Sequence, residues 1–187
     1  MGRLRPMRLR TKAVLGITIA IVVSIAGFFV YRWIFPPAVP ASQQAGVSQH
    51  IADATVTIDY SRPVARGRDL FGSLVPYGQP WCPGADRATK VTVSRDIQIN
   101  GQRLQKGSYS IWAIPEPDSW TVIFSRAANV WHEPYPQGQD ALRLTVSPRE
   151  GPHMETLAYY FPVVDGRGAE LDLHWGRVVV PMQITVP

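Results

Sequence analysis

Cysteine is nearly absent from this 187-residue sequence, in which Cys82 is the only one. A single thiol cannot form an intramolecular disulfide, so the folded part must be stabilised by its own apolar core. Cys82 does not directly follow the long apolar run, which excludes a lipid-modified cysteine. Since Arg87 is the only basic residue near it, we predict that Cys82 is a small buried side chain and not a reactive thiol.

Acidic residues are missing before Asp53, so the positive charge of the chain is concentrated at one end. Six of its 19 basic residues precede position 33, and 13 basic and 14 acidic residues follow, which leaves the remainder with a net charge of −1. This distribution excludes nucleic acid as a partner, although the sequence pI is near 9.7. The six early basic residues are Arg3, Arg5, Arg8, Arg10, Lys12 and Arg32.

Charge is also absent from the 19 residues between Ala13 and Tyr31. About 20 apolar residues in a helix span a bilayer core, so residues 13–35 predict one uncleaved transmembrane helix. The basic tail at residues 1–12 would then be cytoplasmic and the rest periplasmic, with the chain in the inner membrane of a bacterium. Tyr31, Arg32 and Trp33 are the predicted contacts with lipid headgroups.

A cleaved signal peptide is the competing interpretation, because Val39-Pro40-Ala41 loosely resembles a cleavage site. The apolar run is longer than a typical signal sequence and ends in bulky residues, which favours the anchor. Pro36, Pro37 and Pro40 then predict an extended tether over residues 36–53.

Helical periodicity is absent after Phe35, and alternating apolar and polar residues replace it. Residues 54–60, 142–146, 171–175 and 178–186 have this pattern. Similar segments at 90–99, 109–114, 120–125 and 155–161 bring the predicted total to about eight strands. Asn100-Gly101 is the strongest hairpin signal. We therefore predict an all-β domain over residues 54–187, an antiparallel, jelly-roll-like β-sandwich preceded by the transmembrane helix. The Gly- and Pro-rich tract at 59–89 should fold onto it as an ordered covering loop, held by the inward-packing side chains of Leu70, Phe71, Leu74, Val75, Tyr77 and Trp81.

This covering tract contains ordered motifs that extend into the next strands. They are Tyr60-Ser61-Arg62-Pro63, Gly67-Arg68, Phe71-Gly72-Ser73-Leu74-Val75-Pro76-Tyr77-Gly78, Trp81, Gly84-Ala85, Ala88-Thr89, Gly107-Ser108-Tyr109-Ser110, Ile114-Pro115 and Trp120-Thr121-Val122-Ile123-Phe124. In these motifs, mainly between Ala54 and Val146, the chain resembles the bacterial domain-of-unknown-function family numbered 2911. The resemblance implies an exported, mostly β domain without an established reaction.

The chain departs from the family pattern just after Trp81. Relatives commonly read Arg, any residue, Gly-Ala-Asn-Glu-Ala-Thr there, whereas this chain has Cys82, Asp86 and Arg87 in place of the Arg, Asn and Glu. Replacing Glu by Arg inverts a charge. The resemblance therefore implies that any polar ligand site of relatives is altered here.

Catalytic and metal-binding patterns are also lacking. The four histidines, His50, His132, His153 and His174, have no zinc-ligand spacing, and His174 falls on the polar face of its strand, which predicts solvent exposure. No nucleophile elbow or phosphate-binding loop is present. We predict no enzyme activity, no catalytic residue, no cofactor and no metal.

Aromatic residues provide the remaining signals. Trp81, Trp112, Trp120 and Trp175 are predicted to belong to the core or its cover. Trp131 and Tyr135, on a proline-stiffened loop, could contact a protein or a sugar, or fold back onto the sandwich.

Small residues on the N-terminal helix, Gly16, Ala20, Ser24 and Gly27, could pack against another helix. We therefore predict a non-catalytic accessory subunit that braces the periplasmic side of a larger complex of integral membrane proteins, such as a photosynthetic or respiratory assembly. The alternative is a periplasmic small-molecule or glycan-binding module.

Overall fold

The structure is a computed structural model that describes residues 8–34 and 42–187. The chain divides into two compact units, residues 1–40 and residues 41–187. Residues 1–7 of the predicted tail, Phe35 of the predicted span and residues 36–41 of the predicted tether lie outside the described residues.

The first unit contains helix α1 (Arg8–Ile34). Its described large apolar side chains are all more than half exposed, from 51% for Ile25 to 83% for Trp33, and they occupy every side of the helix. Among the described residues, no helix has the length and apolar character needed to cross a membrane.

The second unit is almost entirely β, as the alternating pattern predicted. Its strands are β1 (Ser42–Ile51), β2 (Ala54–Pro63), β3 (Lys90–Val93), β4 (Ile97–Ile99), β5 (Gln102–Leu104), β6 (Gly107–Pro115), β7 (Trp120–Ser125), β8 (Asp140–Val146), β9 (Arg149–Asp165) and β10 (Gly168–Thr185). One antiparallel sheet has the order β1-β2-β3-β6-β7-β8 and the other β5-β4-β10-β9. The described strands do not close into a barrel.

Two details of the predicted fold are wrong. Most neighbouring strands in each sheet are consecutive in the chain, which is not the interleaved order of a jelly roll. The predicted tether also ends too late, because residues 42–51 pair along their whole length with β2, from Ser42↔Pro63 to Ile51↔Ala54. Apart from Val47 and Ile51, the strand has little apolar content, so its sequence resembles a linker.

The main apolar core lies between the two sheets. Ile58, Ile111 and Phe124 come from the six-stranded sheet, and Leu171 and Met182 from the other, and all five are essentially inaccessible to solvent. Part of β6 and β7 is buried on the outer face of the first sheet as well, although Ser108 near the start of β6 is exposed there. There, Trp112 and Ile123 are covered by Cys82 and Ala88 from the 64–89 tract.

The covering tract is ordered, as predicted. Phe71 contacts Trp120 edge-on at 4.9 Å between ring centroids, and Trp81 stacks on Trp175 at 5.9 Å. Leu74 and Tyr77, predicted to pack inward with them, are instead exposed. The tract therefore covers β6 and β7 and leaves the outer face of β1, β2 and β3 open.

Candidate functional site

A cleft of about 500 Å³ lies where the open outer face meets the covering loops. One side is formed by β1 and β2, and the other by residues 87–90 and 128–130. Its lining consists of Gln44, Ala45, Gly46, Asp59, Tyr60, Ser61, Arg87, Ala88, Lys90, Ala128, Asn129 and Val130. The volume is within the range of small-molecule sites, which is about 300–1,000 Å³.

A glycine keeps the floor of the cleft open. Gly46 lies opposite Asp59 in the β1–β2 ladder, whereas its neighbour Ala45 lies opposite Tyr60 and packs against the core on the other face of the sheet. A Cβ atom added to Gly46 would lie 3.5 Å from Asp59 Oδ1, in ordinary van der Waals contact. The Cβ of a larger side chain at position 46 would therefore cause no clash, and the rest of that side chain would fill the cleft.

Backbone hydrogen bonds hold the opposite wall in place. The Ala88 amide donates to the Val130 carbonyl at 3.0 Å, and the His132 amide donates to the Asp86 carbonyl at 3.0 Å. Arg87 and Trp131 form an isolated antiparallel bridge between these bonds. The two loops therefore form one short ladder that fixes the backbone of Arg87.

Buried contacts beneath Arg87 attach this ladder to the covering tract. The Thr89 hydroxyl donates to the Pro83 carbonyl at 2.6 Å, and the Thr89 amide donates to Cys82 Sγ at 3.4 Å. Burial raises the pKa of the Cys82 thiol to about 12. Cys82 is only 2% exposed, which confirms the predicted buried role.

The two basic residues of the cleft, Lys90 and Arg87, differ in their partners. Lys90 Nζ lies 3.7 Å from Asp59 Oδ2, so these two side chains form an ion pair. The exposed Arg87 side chain, by contrast, makes no ion pair or hydrogen bond with any of residues 8–34 or 42–187. An unpaired guanidinium beside small and polar residues can hold an anionic group of a ligand.

A row of four hydroxyl groups extends from the cleft across the same outer face. Ser48 lies opposite Thr57, Thr57 opposite Thr92, and Thr92 opposite Ser108. Ser48 bonds Thr57 at 2.9 Å and Thr92 bonds Ser108 at 3.0 Å. Thr57 and Thr92 of this row lie two residues along their strands from Asp59 and Lys90, on the same face of the sheet.

The two aromatic residues predicted as an interface have different environments. Trp131 is 55% exposed and lies beside the cleft, next in sequence to Val130. Tyr135 folds back onto Trp112 at 5.3 Å and donates its hydroxyl to Asp140 at 2.5 Å. Burial, and then that hydrogen bond, raise the pKa of Tyr135 to about 12. Tyr135 is thus mainly a packing residue.

The predicted helix contacts are located within the first unit. Gly16, Ala20, Ser24 and Gly27 are exposed, and no atom lies within 4 Å of a Cβ built on either glycine. Tyr31 and Trp33 are exposed, whereas the side chain of Arg32 lies outside the described residues. These positions remain predicted contacts for lipid or for another helix.

The prediction that His174 is exposed is wrong, since this residue is 2% exposed. Its Nε2 lies 2.9 Å from the Pro152 carbonyl, to which it donates because a carbonyl only accepts. Its Nδ1 lies 3.0 Å from the Tyr160 hydroxyl. The polar face of β10 is covered because β9 and β10 form a long, bulged hairpin with three register shifts.

The same hairpin carries a group of charged residues around the buried Asp172, which sequence reasoning missed. Arg149 donates to Asp172 at 2.7 Å and to Glu170 at 2.6 Å, and Gln183 donates to Glu170 at 2.6 Å. Burial raises the pKa of Asp172, and Arg149 opposes that shift. The signal in the sequence is the run of Glu170, Asp172 and His174 at alternate positions of one strand.

This second group is internally paired and does not line the cleft. Only Oδ1 of Asp172 lacks a partner among the buried side-chain atoms of the described residues. Over residues 8–34 and 42–187, no three His, Cys, Asp or Glu side chains are grouped to hold a metal ion. The cleft is therefore the better candidate site.

Comparison with known proteins identifies the family. No curated protein and no solved structure matches the chain. Residues 42–184 match the family model described as protein of unknown function (DUF2911), a longer match than the motifs between Ala54 and Val146 suggested. Since this match covers well over half of the sequence and includes β1, the chain belongs to the DUF2911 family.

Proposed function

We propose that the β domain is a non-catalytic binding module whose cleft takes a small polar molecule. The observation that carries the proposal is the Arg87 side chain, which has no partner among the described residues and whose backbone is fixed on the wall of a concave, polar cleft. Ligand sites are typically concave and have a few fixed polar groups. A flat apolar surface beside Trp131 would have favoured a purely structural subunit. The neighbouring surface is instead a concave cleft that contains charged residues.

A binding panel on the full chain in mild detergent tests this proposal. Thermal-shift and ligand-observed NMR measurements would cover sugars, sugar acids, amino acids and nucleotides. Gly46→Leu should abolish the binding of any hit because the new side chain fills the floor. Gln43→Leu is the matched control, since Gln43 lies on the same strand but outside the lining. Absence of any hit, or equal binding by Gly46→Leu, would contradict the proposal.

We further propose that α1 anchors this module in a bacterial inner membrane, with the N-terminus cytoplasmic and the β domain periplasmic. The support is the uncharged sequence from Ala13 to Tyr31, with its preceding cluster of basic residues. Ala13 and Leu15 are among the residues whose side chains lie outside the described part of the chain. The intact mass of membrane-extracted protein tests the proposal, because a chain starting near Ser42 would contradict an uncleaved anchor.

An accessory subunit of a photosynthetic, respiratory or other membrane complex is the second candidate. The open space beside Gly16 and Gly27 favours it, because small residues let a neighbouring helix approach closely. Mild-detergent extraction, native gels and mass spectrometry provide the test. Stable co-purifying membrane proteins would support it, and migration as a single chain with its detergent would contradict it.

A further inference from the structure

We infer that the ligand of the cleft is an anionic sugar chain that extends from Arg87 across the hydroxyl row on the outer face of β1, β2, β3 and β6. The inference rests on the proposed binding function and adds a ligand class to it. Three features of the site specify that class: a free cation, an array of hydroxyls and an exposed aromatic rim.

Arg87 is the cation of the site, and its backbone position is fixed. The ladder between residues 86–88 and 130–132 holds the Arg87 backbone, while its side chain has no partner in the described part of the chain. A guanidinium binds carboxylates through paired donors. Lys90 adds a second positive charge, which Asp59 at 3.7 Å offsets. The local balance of these three groups is one positive charge.

The hydroxyl row accounts for the sugar part of the ligand. Ser48, Thr57, Thr92 and Ser108 make two hydrogen bonds among four hydroxyls, so donors and acceptors remain for a ligand. Neighbouring strands are about 4.8 Å apart, which gives a regular series of polar contacts across the sheet. An apolar molecule would leave these groups unpaired, whereas a chain of hydroxyl-bearing rings can bond to them.

The aromatic rim completes the description. Trp131 is 55% exposed and its backbone pairs with that of Arg87, so the two side chains leave the ladder at directly opposed positions. Indole rings offer an apolar face on which a sugar ring can pack. Gly46, which has no side chain on this face, allows a flat ring to lie close to the strands.

Calorimetry on the full chain in detergent, with three probes, tests the inference. Trigalacturonate carries both hydroxyls and carboxylates, its methyl ester has the hydroxyls without the charges, and citrate has carboxylates without the sugar rings. Trigalacturonate should bind about tenfold or more tightly than either of the others, because charge-assisted bonds and hydroxyl contacts act together. Added salt should weaken that binding.

Two variants and a control locate the contacts. Arg87→Gln should reduce trigalacturonate affinity by about tenfold or more, to near that of the ester. Thr92→Val removes one hydroxyl at constant shape and should reduce affinity severalfold. Arg103→Gln should have no effect, since Arg103 pairs with Asp96 away from the cleft.

Three other outcomes of the calorimetry would contradict the inference. Equal binding of the ester would show that charge is not recognised, and equal binding of citrate would show that hydroxyls are not. Failure of trigalacturonate to bind at millimolar concentrations would exclude the sugar class. The broader proposal of a binding cleft would still be decided separately by Gly46→Leu in the general panel.

Discussion

At the residue scale, the sequence was most informative where chemistry is simple. A lone cysteine without a basic environment predicted a buried thiol, and Cys82 packs against Trp112 and Ile123. The sequence was least informative for His174 and Asp172, because alternation places them on a polar face that the curvature of the hairpin then buries. Arg87 was noted as a departure from the family pattern, but its place in a cleft depends on two loops meeting.

Cys82 should resist alkylation in the native protein. Burial raises its pKa to about 12, so little thiolate is present at neutral pH, and the sulfur itself is buried. Iodoacetamide labelling at pH 8, followed by mass spectrometry, should be slow until guanidinium unfolds the β domain. Rapid labelling of the folded chain would contradict the buried position.

Arg149→Met should destabilise the β domain by about 1–2 kcal/mol at pH 7, because it leaves the buried Asp172 carboxylate without its main partner. The low end of the range applies because Arg149 is itself half exposed. Denaturant unfolding measures the loss. In an Asp172→Asn background the same substitution should cost much less, and equal losses in both backgrounds would contradict the coupling.

The loss should also depend on pH. Burial raises the pKa of Asp172 in the folded state, so the folded state binds a proton more tightly than the unfolded chain does. The free energy of unfolding therefore falls as pH rises from the pKa of Asp172 in the unfolded chain through its higher pKa in the folded state. Removing Arg149 takes away an interaction that lowers this pKa. The unfolded chains are alike in this respect, so the difference between wild type and Arg149→Met should shrink as pH falls from the higher folded-state pKa of Asp172 in the variant through the lower one in the wild type. A difference that grows at low pH would contradict this account.

At the scale of elements, strong local signals were reliable. Asn100-Gly101 forms the β4–β5 turn, and both residues have positive φ, at 49° and 76°, as a type I′ turn requires. The segment 90–99, predicted as one strand, divides into β3 and β4 in different sheets. Alternation identifies a strand and its faces but does not specify which sheet the strand joins. Segments 171–175 and 178–186 are one strand, β10, bent at Gly176.

Gly176→Ala should destabilise the domain by about 1–2 kcal/mol, measured by denaturant unfolding. Its φ of 59° disfavours any Cβ by about 1–2 kcal/mol, and the added atom would lie 2.9 Å from Leu70 Cδ1. Gly166→Ala is the control, because Gly166 has a φ of 53° and no atom within 4 Å of a Cβ. Its loss should be smaller. Equal losses would exclude the Leu70 contact as a cause.

At the scale of the whole molecule, the division into an N-terminal unit and a β domain follows from composition. The uncharged run and the basic cluster predicted α1, and the alternating pattern predicted the two antiparallel sheets. The cleft could not be predicted in this way, since its lining comes from four separate segments between residues 44 and 130. Such a site depends on long-range pairing, as between Ala88 and Val130, that no local pattern specifies.

One substitution made at two matched positions would test the proposed anchor in the full chain. Val22 in α1 is 59% exposed, and Val163 in β9 is 57% exposed. If α1 spans a bilayer, Val22→Arg places a charge near its centre at a cost of about 2.5–3.5 kcal/mol, whereas Val163→Arg stays in water. Carbonate-washed membranes should retain wild type and Val163→Arg, and should retain less of Val22→Arg. Release of the wild-type chain, or equal retention of all three, would contradict the anchor and restrict the proposal to the binding cleft of the β domain.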